Sequence, residues 1–587
     1  MTIRRNTRFI GLATCILGAG AFSGVQAQTY FPSDVDSSTC NLSSKEFQSW
    51  ITLTLPSAAE IPPVGPVYDQ TSGMAYIFPP NGPNFEKNNQ NDPNDCDFYK
   101  WGAQMFLWLT STINDGGSIP KTPSFGPKLP YVFNSEFFYR LSPDQTALIA
   151  QDSSASTHFN NLKISLRTAK NDEDESIGQA GGNGVLLSQD GSLTYYGVHV
   201  NRLYGYFYSR QKTVKPAITQ FPTTATETCA NIEYAMTNGY AENGLVPQTL
   251  YNIYCADETA AKSPGPKSPG QSNNKKADKA AKVAAGATFT IPELEPAVDF
   301  LSMAVEVKSS WVDASKVPNK EDYIRQYMNV PVYDRSNGER WTTDKSESRE
   351  LALVGMHIVG TVEGHEESIW ATIEHKNNAP NSAYYYYTDA KKKKVKEVSG
   401  PQPGAKWLYS NGTVVSEITE YAIGCTDTPM PKGCKNASDI ISVGDTDASQ
   451  SILPSNVTRL NPWGNTQSKD DDFVVSQNTQ LIALNRDVNK QVVALLSKDP
   501  RQNYFVSGAV WTNNGSIPTG DSYTHNTGSK KLANTTMETF HQGIGCFACH
   551  NSSDQNNGLN VSHVFLGLTA PLPKIKTVTE KPAKAMQ

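Results

Sequence analysis

The pentapeptide Cys546-Phe547-Ala548-Cys549-His550, with only residues 551–587 behind it, constrains this chain more than any other feature. Two thiols three positions apart reach both vinyl groups of one haem, and the adjoining histidine is held under the iron as an axial ligand. The expectation is one covalent haem c on Cys546 and Cys549, with His550 as the proximal iron ligand. The motif's position also excludes the usual housing. Small all-α cytochrome c domains supply a methionine from a lobe well downstream of the motif, and the only methionine after His550 is the penultimate residue, Met586.

C-x-x-C has three other uses. A thioredoxin-type dithiol sits at a helix N-terminus after a strand in a βαβ unit, a pattern missing here. A structural zinc site needs further Cys or His at ligand spacing, for which only His541 and His563 are at hand. A disulfide closed within the motif would be small and strained.

The sixth iron position decides between electron transfer and small-molecule chemistry. His563, in Leu559-Asn560-Val561-Ser562-His563-Val564-Phe565, is the nearest candidate for a distal ligand. Met537 and His541 precede the motif on what reads as the same short helix, which makes the opposite face hard to reach. His357 and His375 form a third option, as distal ligands or as acid–base groups beside an open iron. A core histidine hydrogen-bonded to backbone is the alternative for each.

The first residues place Arg4, Arg5 and Arg8 before a Gly/Ala-rich apolar run that closes on Val25-Gln26-Ala27, the pattern of a secretory signal peptide cleaved after Ala27. The run is shorter than the roughly 20 apolar residues of a transmembrane anchor, and Thr14 before Cys15 does not suit a lipid-anchor signal. No other stretch is apolar enough to span a bilayer, so a periplasmic or secreted protein is expected. Losing the signal removes three arginines and no acids, taking the formal net charge from −6 to −9. Such mild acidity argues against nucleic acid as a partner.

Residues 28–587 are too many for one hydrophobic core. The chain divides into a signal peptide (1–27), an N-terminal mixed domain (28–256), a flexible linker or exposed insertion (257–286), a β-rich domain (287–510) and a C-terminal haem-binding segment (511–587). The linker assignment rests on a Pro/Ser/Lys/Ala-rich composition that buries too little to order itself. With 42 Gly, 36 Pro and 26 Tyr, the fold class expected is mainly β or α+β: an antiparallel β-rich body with a few short helices.

Within it, Phe98, Trp101, Met105, Trp108 and Leu109 recur at helical spacing, read as core packing rather than a cofactor face. Residues 352–362 and 368–375 flank a polar turn as an antiparallel hairpin, which would bring His357 and His375 near each other. Thr535 followed by Glu538 has the form of a capping box, placing the pentapeptide at or just beyond a short helix. Six further cysteines in an oxidising compartment read as disulfides. Proximity pairs Cys425 with Cys434, Cys229 with Cys255 and Cys40 with Cys96.

Leu353-Val354-Gly355-Met356-His357-Ile358-Val359, Ile369-Trp370-Ala371-Thr372-Ile373-Glu374-His375, Ala533-Asn534-Thr535-Thr536-Met537-Glu538-Thr539 and Cys546 to His550 together resemble a family of large, exported, single-haem proteobacterial cytochrome c proteins. The likeness covers roughly residues 300 to 570, with Phe98 to Leu109 adding a weaker match. It implies haem c and no particular substrate. Ser562-His563-Val564-Phe565 also resembles a segment of small β-sheet haem c proteins, some of which have an open iron and turn over nitrogen compounds.

Three functions follow as expectations. The first is an exported monohaem cytochrome passing single electrons to or from a redox partner protein. The second is a haem oxidoreductase acting on peroxide, a nitrogen oxide or a small organic substrate, with His357 or His375 serving distally. The third is a surface or structural protein whose haem is a staple or sensor.

Overall fold

The computed structural model describes residues 30–51, 67–68, 75–76, 95–112, 124–135, 138–142, 145–150, 184–222, 225–240, 304–362, 365–400, 406–425, 429–443, 451–520 and 526–574. The signal peptide, Cys255, the 257–286 stretch and Met586 lie outside them.

The chain follows the expected fold class, a β-rich antiparallel body with few helices. In chain order the strands are β1 (Val67–Tyr68), β2 (Ala75–Tyr76), β3 (Phe138–Leu141), β4 (Leu148–Ala150), β5 (Tyr195–Asn201), β6 (Val305–Asp313), β7 (Arg325–Asp334), β8 (Arg340–Val362), β9 (His365–His375), β10 (Tyr384–Asp389), β11 (Lys394–Val398), β12 (Ala422–Gly424), β13 (Ile440–Ser442), β14 (Tyr504–Thr512) and β15 (Asn526–Gly528). The helices are α1 (Ser44–Ile51), α2 (Asp95–Leu109), α3 (Arg202–Thr213), α4 (Ala225–Thr237), α5 (Asp472–Leu495), α6 (Cys546–Cys549) and α7 (His563–Gly567). Among the described residues no helix is long and apolar enough to cross a membrane.

Eleven strands form one sheet whose central order is β15-β14-β9-β8-β6-β5-β3-β4, with β7 and β13 also on β8 and β12 on β13. Strands from both sides of the 257–286 stretch are therefore neighbours: β5 pairs antiparallel with β6, Tyr195 opposite Trp311 through Val200 opposite Glu306. One core crosses the boundary drawn there from composition, because local pattern reports a strand but not its partner.

Both faces of the sheet are covered. Along β8, Leu351, Leu353, Met356 and Ile358 enter the largest core, while Ala352, Val354 and Val359 join clusters on the other side. The division is period-two on either side of a bulge at Val354, where the pairing with Ser310 and Trp311 slips by one residue and the parity changes between Leu353 and Met356; with both faces apolar, residues 352–362 read as one hydrophobic run. On the first face lie α2 and α5. The aromatic residues of α2 are buried there as core, with Phe98 stacked on Trp511 at 3.9 Å between ring centres and 6° between planes. A Cβ at Gly102 would come within 2.9 Å of the Ala371 methyl, so glycine sets how closely this helix approaches β9.

The hairpin forms as expected, between β8 and β9, but its register separates the two histidines. His357 lies opposite Thr372, not His375. Three positions along a strand reverse the face, so His375 points to the other side. There it stacks on Tyr323 at 3.8 Å, and its Nε2 donates to the Asp322 carbonyl at 3.2 Å.

Disulfides join Cys40 to Cys96 and Cys425 to Cys434, as proximity suggested. Cys229 is also disulfide-bonded. Its expected partner Cys255 is outside the described residues.

Candidate functional site

The second face of the sheet receives the C-terminal segment. Asn534 Nδ2 donates to the Ile373 carbonyl at 3.0 Å, and the Thr535 N–H donates to Glu374 at 3.2 Å. The Thr536 hydroxyl meets Ser310 Oγ at 2.6 Å, and the Thr536 carbonyl accepts from the Tyr196 hydroxyl at 2.7 Å. Gly355 on β8 makes this seating possible: a Cβ there would lie 2.4 Å from Thr536 Oγ1 and 2.8 Å from Asn534 Oδ1.

The expected short helix before the pentapeptide does not form; residues 534–541 are successive turns. The cap is Asn534 instead of Thr535. Asn534 Oδ1 accepts the Thr536 N–H at 2.9 Å, and Glu538 reaches back to the Asn534 N–H at 2.9 Å. Thr535 is withdrawn from capping because its N–H and hydroxyl both bond to the buried Glu374.

The pentapeptide itself makes α6. A Cβ on Gly545, which precedes it, would sit 2.3 Å from the Lys530 carbonyl oxygen, so the entry requires glycine. One helical turn puts Cys546 and Cys549 on the same side, and no disulfide joins them. Phe547 is buried and packs edge-on to Trp370. The His550 N–H closes the turn onto the Cys546 carbonyl at 2.9 Å.

His550 is held by its ring as well. Its Nδ1 donates to the Val561 carbonyl at 3.1 Å, which fixes the tautomer in which Nε2 carries the lone pair. The Trp370 ring packs 4.2 Å from it at 39°, and the His563 ring 4.2 Å from it at 30°. His563 thus sits beside the expected proximal ligand at ring-stacking distance, with its own Nε2 donating to the Cys549 carbonyl at 3.1 Å.

These groups line a cleft enclosing about 1050 Å³, part of it open to solvent. One wall is the sheet face, with Val198, Lys308, His357, Val359, Trp370 and Thr372. The other is the C-terminal segment, with Glu538, His541, Ile544, Cys546, Cys549, His550 and His563. His375 is absent from this lining, on the far face of the sheet. Met537 is buried in a core cluster with Val354 and Tyr409.

His357 makes hydrogen bonds through both ring nitrogens. Nδ1 meets Thr372 Oγ1 at 2.7 Å, and Nε2 lies 2.9 Å from each oxygen of Glu538. Burial works to raise the Glu538 carboxyl, but His357, Lys308 and the Asn534 N–H outweigh it and hold the group below the usual range. Burial lowers His541. Burial, aided by the charges of Glu538 and Cys549, raises the Cys546 thiol. That direction is opposite to the lowered thiol of a dithiol oxidant.

The donor set fits a haem better than the other groups weighed. Cys546 and Cys549 would hold it by thioethers, and His550 Nε2 would meet the iron, backed by the Val561 carbonyl as metal-bound histidines commonly are. Among the described residues no group of three or more His, Cys, Asp or Glu is placed to bind a metal ion directly.

Sequence reasoning identified Glu538 only as a cap and passed over Lys308 and Trp370. Strand alternation joins 370 with 372 and 357 with 359, so Trp370 was reachable once the hairpin register was known. Lys308 comes from β6, opposite His357, and nothing local marks it. Comparison of the chain with protein-family models, with curated proteins and with solved structures finds no match.

Proposed function

We propose that this protein is an exported monohaem c-type cytochrome that passes single electrons to or from another redox protein. One observation carries the reading: two cysteines one helical turn apart with no disulfide between them, followed by a histidine whose Nδ1 is committed to Val561, on the wall of a cleft. The haem would supply a one-electron iron couple. Cys546 and Cys549 tether it, and His550 holds its Nε2 towards the iron by donating from Nδ1. Trp370 and His563 fix the plane of the His550 ring. Val198, Val359, Trp370 and Ile544 line the cleft with apolar surface. Because both nitrogens of His357 are already engaged, it is presented to the cleft as an acid–base group, not as a ligand. The disulfides fit an oxidising compartment.

The test is production with export and haem c maturation. The expected protein carries haem that survives denaturing electrophoresis, and the double variant Cys546→Ala, Cys549→Ala carries none. A wild-type chain without covalent haem, matured beside a positive control, overturns the proposal.

A second reading, a haem oxidoreductase acting on a small molecule, is favoured by the carboxylate-backed His357 in the cleft. A spectral change on adding cyanide or carbon monoxide would support it; an indifferent low-spin spectrum supports electron transfer.

A further inference from the structure

We propose that His357, held by Glu538, takes up one proton as the site accepts one electron, so that electron transfer here is proton-coupled. The proposal rests on the haem c reading above. Its ground is the placement of an imidazole–carboxylate pair on the same cleft as Cys546, Cys549 and His550, with each ring nitrogen of the histidine already provided for.

The hydrogen bonds allow both charge states without rearrangement. The Thr372 hydroxyl donates to Nδ1 of the neutral ring or, after turning, accepts from it. The Glu538 carboxylate accepts from Nε2 in either case. Glu538 is anchored by the Asn534 N–H, so the imidazolium has a fixed counter-charge at 2.9 Å. The proton goes to the histidine because the carboxyl is the group held in its ionised form.

The surrounding charges make the added electron costly unless a proton accompanies it. From β6 the cleft receives Lys308, opposite His357, and Glu306; from β5, Tyr196; from the C-terminal segment, Glu538, His541, Cys546, Cys549, His550 and His563. β9 contributes Trp370, Ala371 and Thr372, none of them charged. Two carboxylates thus face one ammonium in a half-enclosed site, where charge interactions are stronger than in water. With haem bound, one electron taken from a reduced donor protein, which is thereby oxidised, would reduce the haem iron and lower the charge of the site by one. One proton drawn from water onto His357 restores it.

The experiment is a spectroelectrochemical titration of the holoprotein from about pH 5 to 8, the range in which histidine titrates. The wild-type midpoint potential is expected to fall with rising pH, with a limiting slope of about 59 mV per tenfold change in proton activity for a one-electron couple. His357→Gln is expected to flatten that dependence while leaving the haem spectrum unchanged. Glu538→Gln should move the sloping region to lower pH, and it serves as the second variant if His357→Gln yields too little holoprotein. His541→Gln should retain the slope. A flat wild-type profile, or a slope unaltered by both the His357 and Glu538 changes, overturns the proposal with haem binding intact. Absence of covalent haem from the wild type overturns the functional reading and this inference together.

Discussion

Substituting Glu374→Gln should cost this protein more than any exposed ion pair it contains. Glu374 and Arg459 are 0% and 2% exposed, and they meet twice: Nη2 to Oε2 at 2.6 Å and Nε to Oε1 at 3.2 Å. Arg459 also donates to Asn381 and to the Ala379 carbonyl, and its guanidinium lies 5.0 Å over the Phe505 ring. Removing the carboxylate leaves a guanidinium in the core with no counter-charge, a loss of about 3–5 kcal/mol. At roughly 2 °C per kcal/mol for a long chain, the thermal midpoint should fall by about 6–10 °C. Arg459→Met should cost a similar amount by stranding Glu374. The double variant buries no charge, so it should fall short of additivity by about 3 kcal/mol. Urea unfolding followed by tryptophan fluorescence measures all three. Because Thr535 donates to Glu374 through its N–H, the single variant should also speed amide exchange in residues 533–550, including the pentapeptide. A Glu374→Gln loss below about 1 kcal/mol, or a fully additive double variant, would refute the assignment of a buried, mutually dependent pair.

Two further outcomes are open to measurement. Burial lowers both His199 and His375 from 6.5 to about 3, so between those values the unfolded chain binds protons that the folded one does not. Stability should fall as pH drops below about 6.5, by roughly 2 kcal/mol per histidine at pH 5, and His375→Phe should remove about half of that slope in pH-dependent unfolding; a flat profile contradicts it. Gly355→Ala should destabilise by about 1–3 kcal/mol and expose the C-terminal segment to limited proteolysis, because its Cβ would overlap Thr536 and Asn534, whereas a Cβ at Gly543 meets nothing within 4 Å; equal effects would contradict the seating described.

The hairpin and the helix of residues 95–109 were legible in sequence because each carries its own period, two in one and near four in the other. The separation of His357 from His375 was not. It depends on which residues pair across the strands, and a one-residue shift of register moves every side chain to the other face. The capping signature at Thr535 misled for a related reason: a buried carboxylate from a distant strand competes for the same donors. The pentapeptide is legible as a local motif, since its spacing involves only near neighbours, and the one-turn placement of Cys546 and Cys549 follows from that spacing. Its surroundings were hidden, because Lys308 and Trp370 reach the cleft from strands far away in the chain, and the two-sided burial of β8 conceals the alternation that would have sorted them.

The seating of the C-terminal segment on an otherwise complete sheet also bears on the order of events during synthesis. Chains fold from the N-terminus as they emerge, and β15, the last strand, ends at Gly528, before the first cysteine of the pentapeptide. Every strand among the described residues is therefore delivered ahead of Cys546. The body is a scaffold erected first, and the C-terminal segment is the final piece fitted to it, so truncation after Gly528 would remove the Cys546 and Cys549 thiols while sparing every strand among the described residues. If the proposed haem is attached at these thiols, its loading would be a finishing step rather than a nucleus of folding.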